Sequence, residues 1–171
     1  MSMKKKNPLI TILVPLAAIA VILIVVFSVR PSTPGTAGDR LTSDDGSAEA
    51  TAYVEALAAE NWADAAQYVQ EGCTEDCLFT DSSAAEIATY LEEACNNGHY
   101  CGPVRLDQAD EAERPRRTHT MQAIDANGEM QRFCLDETCG IQKSKYIIST
   151  VQVEGTWFVT ELPAAYAGFP Q

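Results

Sequence analysis

The six cysteines, Cys73, Cys77, Cys95, Cys101, Cys134 and Cys139, are the residues of this chain with the most distinctive chemistry. They fall as three close pairs, C-x3-C, C-x5-C and C-x4-C, each bracketing a short loop. Such thiols can form disulfides, hold a metal or run redox chemistry. Structural zinc sites favour paired C-x2-C ligands, and the nearest set, Cys95, His99 and Cys101, lacks that spacing. Disulfide oxidoreductases use a C-x-x-C pair, which is absent. An even count in an exported domain points to disulfides. Pairing of sequence neighbours is the first choice among the possible connectivities, with the bridges fixing loop shape. The expectation is disulfides at all six positions, with no metal and no cofactor.

A second constellation could do acid–base work. His119 shares a strand face with Arg117 and Met121, Arg132 lies on the next extended segment, and Tyr146 on the one after. An Arg132–His119–Tyr146 cluster could bind a small anion or transfer protons, because histidine titrates near neutral pH. The competing reading makes His119 a half-buried residue at a strand start and Arg132 a solvated surface cation. No G-x-S-x-G, H-E-x-x-H or glycine-rich phosphate loop accompanies them. His99 reads as an exposed histidine in the loop of residues 96–100. Arg114, Arg116 and Arg117 around Pro115 form the one dense basic patch, either solvated or facing an acidic partner.

The segment from Leu9 to Val29, LITILVPLAAIAVILIVVFSV, decides which compartment these groups meet. At about 1.5 Å per residue it matches the roughly 30 Å hydrocarbon core of a bilayer. It exceeds the apolar run of a cleaved signal, and no A-x-A site follows. Lys4, Lys5 and Lys6 precede it, so the positive-inside rule puts the N-terminus in the cytoplasm and everything after Arg30 outside. The expected organisation is a cytoplasmic tip (1–8), a single-pass signal anchor (9–29), a flexible Pro/Ser/Thr/Gly linker (30–46) and an extracytoplasmic domain (47–171).

Charge narrows the partners. The net charge is −12, and all 24 acidic residues follow Gly38. Residues 42–104 contain no Lys or Arg, and the basic residues of the domain proper lie between Arg105 and Lys145. Such a surface repels nucleic acid. The expected partners are the lipid bilayer through the anchor, and an envelope protein or small apolar ligand through the domain.

The elements that must position the candidate residues follow from pattern. Residues 47–60, SAEATAYVEALAAE, are rich in alanine, and Tyr53, Ala56 and Leu57 share a helical face. Asn61 reads as the N-cap of a second helix from Trp62 to about Val69, with Asp64 completing a capping-box-like arrangement. Ser83-Ala84-Ala85-Glu86 is a capping box opening a third helix, with Ile87, Tyr90, Leu91 and Ala94 on one face and Asn97-Gly98 as its stop. Extended segments follow at residues 103–106, 118–125, 129–135, 145–153 and 156–162. Asn127-Gly128 predicts a hairpin joining 118–125 to 129–135. Helices first and antiparallel strands after define an α+β class: an N-terminal transmembrane helix, then three helices packed on a curved antiparallel sheet of four to five strands.

Two stretches, YVEALAAENWADAAQYV and YIISTVQVEGTWFVTEL, resemble the opening helices and closing strands of the nuclear transport factor 2-like superfamily. The resemblance covers residues 47–162 and implies a cone-shaped domain with a pocket between helices and sheet. The cysteines are additions to the family pattern. An anchor before such a domain resembles accessory proteins of actinobacterial lipid import and assembly factors of type IV secretion. The expectation is a non-catalytic binding or assembly module of a bacterial envelope. The alternative is an isomerase- or hydrolase-type enzyme using the cone pocket.

Overall fold

A computed structural model describes residues 43–73, 78–110 and 115–170. The chain divides into two units, Met1–Asp39 and Arg40–Gln171; the first, which includes the expected anchor, lies outside the described residues. Among the described residues no helix is long and apolar enough to cross a membrane.

The domain is a mixed α+β structure. Helices α1 (Ser47–Ala58), α2 (Trp62–Ala66) and α3 (Ala84–Asn96) come first. Among the described residues six strands follow: β1 (Val104–Gln108), β2 (Arg116–Ala123), β3 (Phe133–Cys134), β4 (Gln142–Lys143), β5 (Lys145–Val153) and β6 (Thr156–Val159). A four-stranded antiparallel sheet has the order β1-β2-β5-β6, and β3 and β4 form a separate two-stranded ribbon.

The helices form where alanine content and spacing favour them. α1 buries Ala50, Tyr53, Val54 and Leu57 against β1, β5 and β6. α3 starts at the expected capping box, in which Ser83 Oγ accepts from the Glu86 N–H and the Glu86 carboxylate accepts from the Ser83 N–H at 2.9 Å. It buries Ile87 and Leu91 and ends at Asn96; Gly98, just beyond the C-cap Asn97, takes a φ of 105° that only glycine adopts without cost. Asn61 does not cap α2 with its side chain; its amide donates to the Asp64 carboxylate instead.

The boundary of the domain lies earlier than residue 47. Residues 43–46, expected in the linker, pack with it: Ser43 N–H and Oγ donate to the Glu49 carboxylate at 3.1 and 2.6 Å, and Gly46 is buried.

The expected hairpin is corrected. A turn does form over Asp125–Glu129, with the Gly128 N–H donating to the Asp125 carbonyl at 3.0 Å. The strands do not continue across it, because only Ile124 and Met130 bridge. β2 pairs along seven residues with β5 instead, and residues 133–134 pair with 142–143. The physical reason is burial on a shared face. Pairing with β5 sets His119 and Met121 beside Ile148 and Tyr146, all buried, whereas 129–132 offer only exposed or half-buried side chains.

The core joins Tyr53, Val54 and Leu57 of α1 and Ile87 and Leu91 of α3 to Met121, Tyr146, Ile148 and Val159 of the sheet. Burial of apolar surface at about 25 cal/mol per Å² is what holds the two layers together.

Candidate functional site

Alternation along β2 sends Arg117, His119, Met121 and Ala123 to the helical face. On β5 the matching set is Tyr146, Ile148 and Thr150. His119 is fully buried. Its Nδ1 accepts from the Asp110 N–H at 3.4 Å, which puts its proton on Nε2, and Nε2 donates to Thr150 Oγ1 at 3.1 Å. Burial pulls the imidazole below its ordinary value of 6.5, against the opposing pull of Asp45, Asp110 and Glu49; Arg117 assists the lowering.

The groups around it are also committed. Asp45 Oδ1 accepts from Ser47 N–H and Oγ at 2.9 and 2.6 Å. Burial pushes its carboxyl up, but these bonds, Ser43 and the nearby imidazole outweigh burial and leave it below the usual carboxylate value. The Arg117 guanidinium lies 5.4 Å over the Trp157 ring and donates to the Asp110 carbonyl at 3.3 Å. Of the basic patch around Pro115, Arg116 is exposed, Arg117 turns inward, and Arg114 lies outside the described residues.

Tyr146 sits two residues from Ile148, the cross-strand partner of His119, but its ring joins a different cluster. It packs edge-on against Tyr100 and Phe133, with centroids 6.2 and 6.4 Å away. Tyr100 and Phe133 stack at 4.9 Å. Burial, with Tyr100 adding to it, raises the Tyr146 hydroxyl above its ordinary value. Burial pushes Tyr100 up to about 12, with Tyr166 adding; its hydroxyl donates to the Pro103 carbonyl at 3.0 Å. Arg132 is exposed beside the β3–β4 ribbon. His119 and Tyr146 thus share a face of the sheet, while Arg132 stands apart, just before β3 of the separate two-stranded ribbon.

Cys95 bonds Cys101 and Cys134 bonds Cys139, as neighbour pairing expects. Cys73 is also disulfide-bonded, and Cys77 lies outside the described residues. The zinc reading of Cys95, His99 and Cys101 fails because both thiols are spent on each other. His99 instead pins the C-terminal segment, its Nδ1 lying 2.7 Å from the Pro163 carbonyl.

That segment straps both clipped loops. Tyr100 N–H donates to the Ala164 carbonyl and Tyr166 N–H to the Gly98 carbonyl, at 2.8 and 2.7 Å. Cys134 N–H donates to the Gly168 carbonyl and Ala167 N–H to the Cys134 carbonyl, each at 2.8 Å. Tyr166 and Phe169 then close edge-on over Tyr100.

Sequence reasoning did not single out Glu49, Asp110 or Thr150 as part of this constellation. Glu49 was within reach, since Glu49, Tyr53 and Leu57 recur at four-residue spacing on the buried face of α1. Thr150 and Asp110 join His119 only through strand pairing and a loop, which leave no local signal.

No protein-family model matches the chain, and no curated protein matches it. Among solved structures it is similar to one from Xanthomonas campestris described as a calcium/calmodulin-dependent protein kinase II association domain. The identity is 14%, over 77% of this chain and 92% of that one, with a TM-score of 0.40.

Proposed function

We propose that this chain is a single-pass, membrane-tethered module on the outer face of a cell, with a nuclear transport factor 2-like domain that binds or assembles an envelope partner without catalysing a reaction. The observation that carries the reading is the oxidised state of Cys73, Cys95, Cys101, Cys134 and Cys139 in a chain that also contains the uncharged apolar run at residues 9–29. Disulfides persist in oxidising compartments, and an uncleaved anchor would hold the domain in one. A binding role draws support from the candidate residues: both ring nitrogens of His119 are already engaged, Tyr146 is packed among aromatic rings, and Arg132 points elsewhere.

Fractionation of cells producing the full chain tests the reading. The protein is expected to stay with membranes through an alkaline carbonate wash and to lose its domain to protease added outside the cells. Recovery in the soluble fraction, or full protection from that protease, overturns it.

A further inference from the structure

An open groove of about 450 Å³ runs along the β3–β4 ribbon, lined by Arg132, Gln142, Lys143, Ser144 and Lys145. Every one of these side chains carries an N–H or O–H donor, and three are cationic. This concentration stands out in a chain of net charge −12. Lys145 is held by Asp107 at 2.7 Å. Arg132 and Lys143 make no ion pair among the described residues.

The frame that carries these cations is locked. Phe133 pairs with Lys143 and Cys134 with Gln142. The Cys134–Cys139 bridge closes the ribbon's loop. Inside that loop the Asp136 carboxylate accepts from Thr138 Oγ1, Gly140 N–H and Ile141 N–H at 2.6, 3.0 and 2.8 Å. On the other side, the Ser144 carbonyl accepts from the Ala123 N–H and from Gln122 Nε2, both at 2.8 Å. The backbone under these donors is therefore fixed, and a ligand has only their side chains to order.

We propose that this groove binds phosphate-bearing ligands. A guanidinium fork engages two phosphate oxygens at once, and an ammonium adds a point charge from a second direction. Arg132 and Lys143 supply that pair, while Ser144 and the second N–H of the Gln142 amide, whose other N–H donates to the Cys139 carbonyl at 3.4 Å, offer neutral donors to the remaining oxygens. A carboxylate presents fewer oxygens to such a ring of donors. The phosphate could belong to a free solute or to a lipid headgroup, and the two sources separate experimentally.

In one arm, the full chain in neutral detergent is dialysed to equilibrium against radiolabelled inorganic phosphate and against glycerol phosphate. In the other, the same protein is passed through mixed micelles of phosphatidylglycerol and phosphatidylcholine, and the retained lipid is weighed. Binding in the first arm that weakens at least tenfold in the Arg132→Gln/Lys143→Gln variant supports the site with a free phosphate. Selective retention of phosphatidylglycerol alone, lost in the same variant, supports it with a headgroup. The charge-preserving Arg132→Lys/Lys143→Arg variant is expected to keep most of the binding, and Arg116→Gln, on β2, all of it. Absence of binding in both arms overturns the proposal. So does a double variant that binds like the parent, or an equal loss in Arg116→Gln, which would mark bulk charge rather than a site.

Discussion

His119 Nε2 donates to Thr150 Oγ1 across β2 and β5 at 3.1 Å, in the buried layer beneath α1. That bond is compatible with either protonation state; it is Nδ1, which accepts from the Asp110 N–H, that requires the neutral imidazole. Protonation would turn that acceptor into a donor aimed at another donor, inside a layer that disfavours charge.

Stability therefore depends on pH through this one ring. The folded-state value of His119 is depressed by burial below 6.5, its unfolded value. Between the two, the unfolded chain binds more protons, so stability rises with pH. The contribution is complete above pH 6.5 and is lost as pH falls towards the folded-state value. The urea midpoint is expected to drop between pH 7 and pH 5.5, with a shallower slope in His119→Gln. Asp45, Asp125 and Asp136, whose values are also lowered, act only below their unfolded range near pH 4 and leave that window to histidine. Equal slopes in the two proteins would refute the assignment.

Tyr53 lies on α1 with its hydroxyl buried and no hydrogen-bond partner among the described residues. A buried unpaired polar atom costs about 1–3 kcal/mol, and phenylalanine keeps the ring. Tyr53→Phe is expected to raise unfolding free energy by about 1 kcal/mol in urea titration. A loss of stability would mean that the hydroxyl holds a bound water.

The Cys95–Cys101 bridge spans six residues of sequence separation, so its removal frees a short loop worth about 2 kcal/mol in chain-entropy terms. The larger effect is local. Gly98, His99 and Tyr100 anchor the C-terminal segment. In Cys95→Ser/Cys101→Ser, amide exchange at Tyr100 and Tyr166 is expected to accelerate before that of Ile148, with the sheet core unchanged. Exchange that accelerates evenly through the domain would show the bridge to be a global staple.

The sequence made these local devices visible and the long-range ones not. The Ser83–Glu86 capping box and the strand at residues 145–153 are encoded within a few positions, and both are present. Of the expected stripe Ile87, Tyr90, Leu91 and Ala94, the structure buries Ile87 and Leu91 but leaves Tyr90 exposed. Neighbour pairing was equally legible for Cys95–Cys101 and Cys134–Cys139, because only short loops separate their cysteines. Asn127-Gly128 correctly marked a turn but not the strands around it, since β2 chose its partner by burial across more than twenty residues. For the candidate site, alternation put His119 on one face with Arg117 and Met121, but its sharing that face with Tyr146 depended on the β2–β5 register. The capture of Tyr146 by Tyr100 and Phe133 depended on the strap and the two clipped loops. Polar residues on both faces of β2, with Gln122 buried opposite His119, removed any pattern that would have fixed which face is interior.

Gly46 is the point where the chain joins the sheet layer, and it has no room for a side chain. Its φ is 78°, and a Cβ built there would lie 2.5 Å from Thr150 Oγ1 and 3.0 Å from the Trp157 ring. The left-handed backbone alone costs a non-glycine residue about 1–2 kcal/mol. The contact adds to this, because Thr150 cannot move without breaking its bond to His119. Gly46→Ala is expected to cost about 3 kcal/mol or more of unfolding free energy in urea titration. Thr150→Ser keeps the hydroxyl and relieves none of the strain at Oγ1, so the double variant should be no more stable than Gly46→Ala. Thr150→Ala removes the atom that clashes and should recover part of the loss in the Gly46→Ala background, although it costs stability in the parent. Additive effects of Gly46→Ala and Thr150→Ala would show that the two residues do not meet.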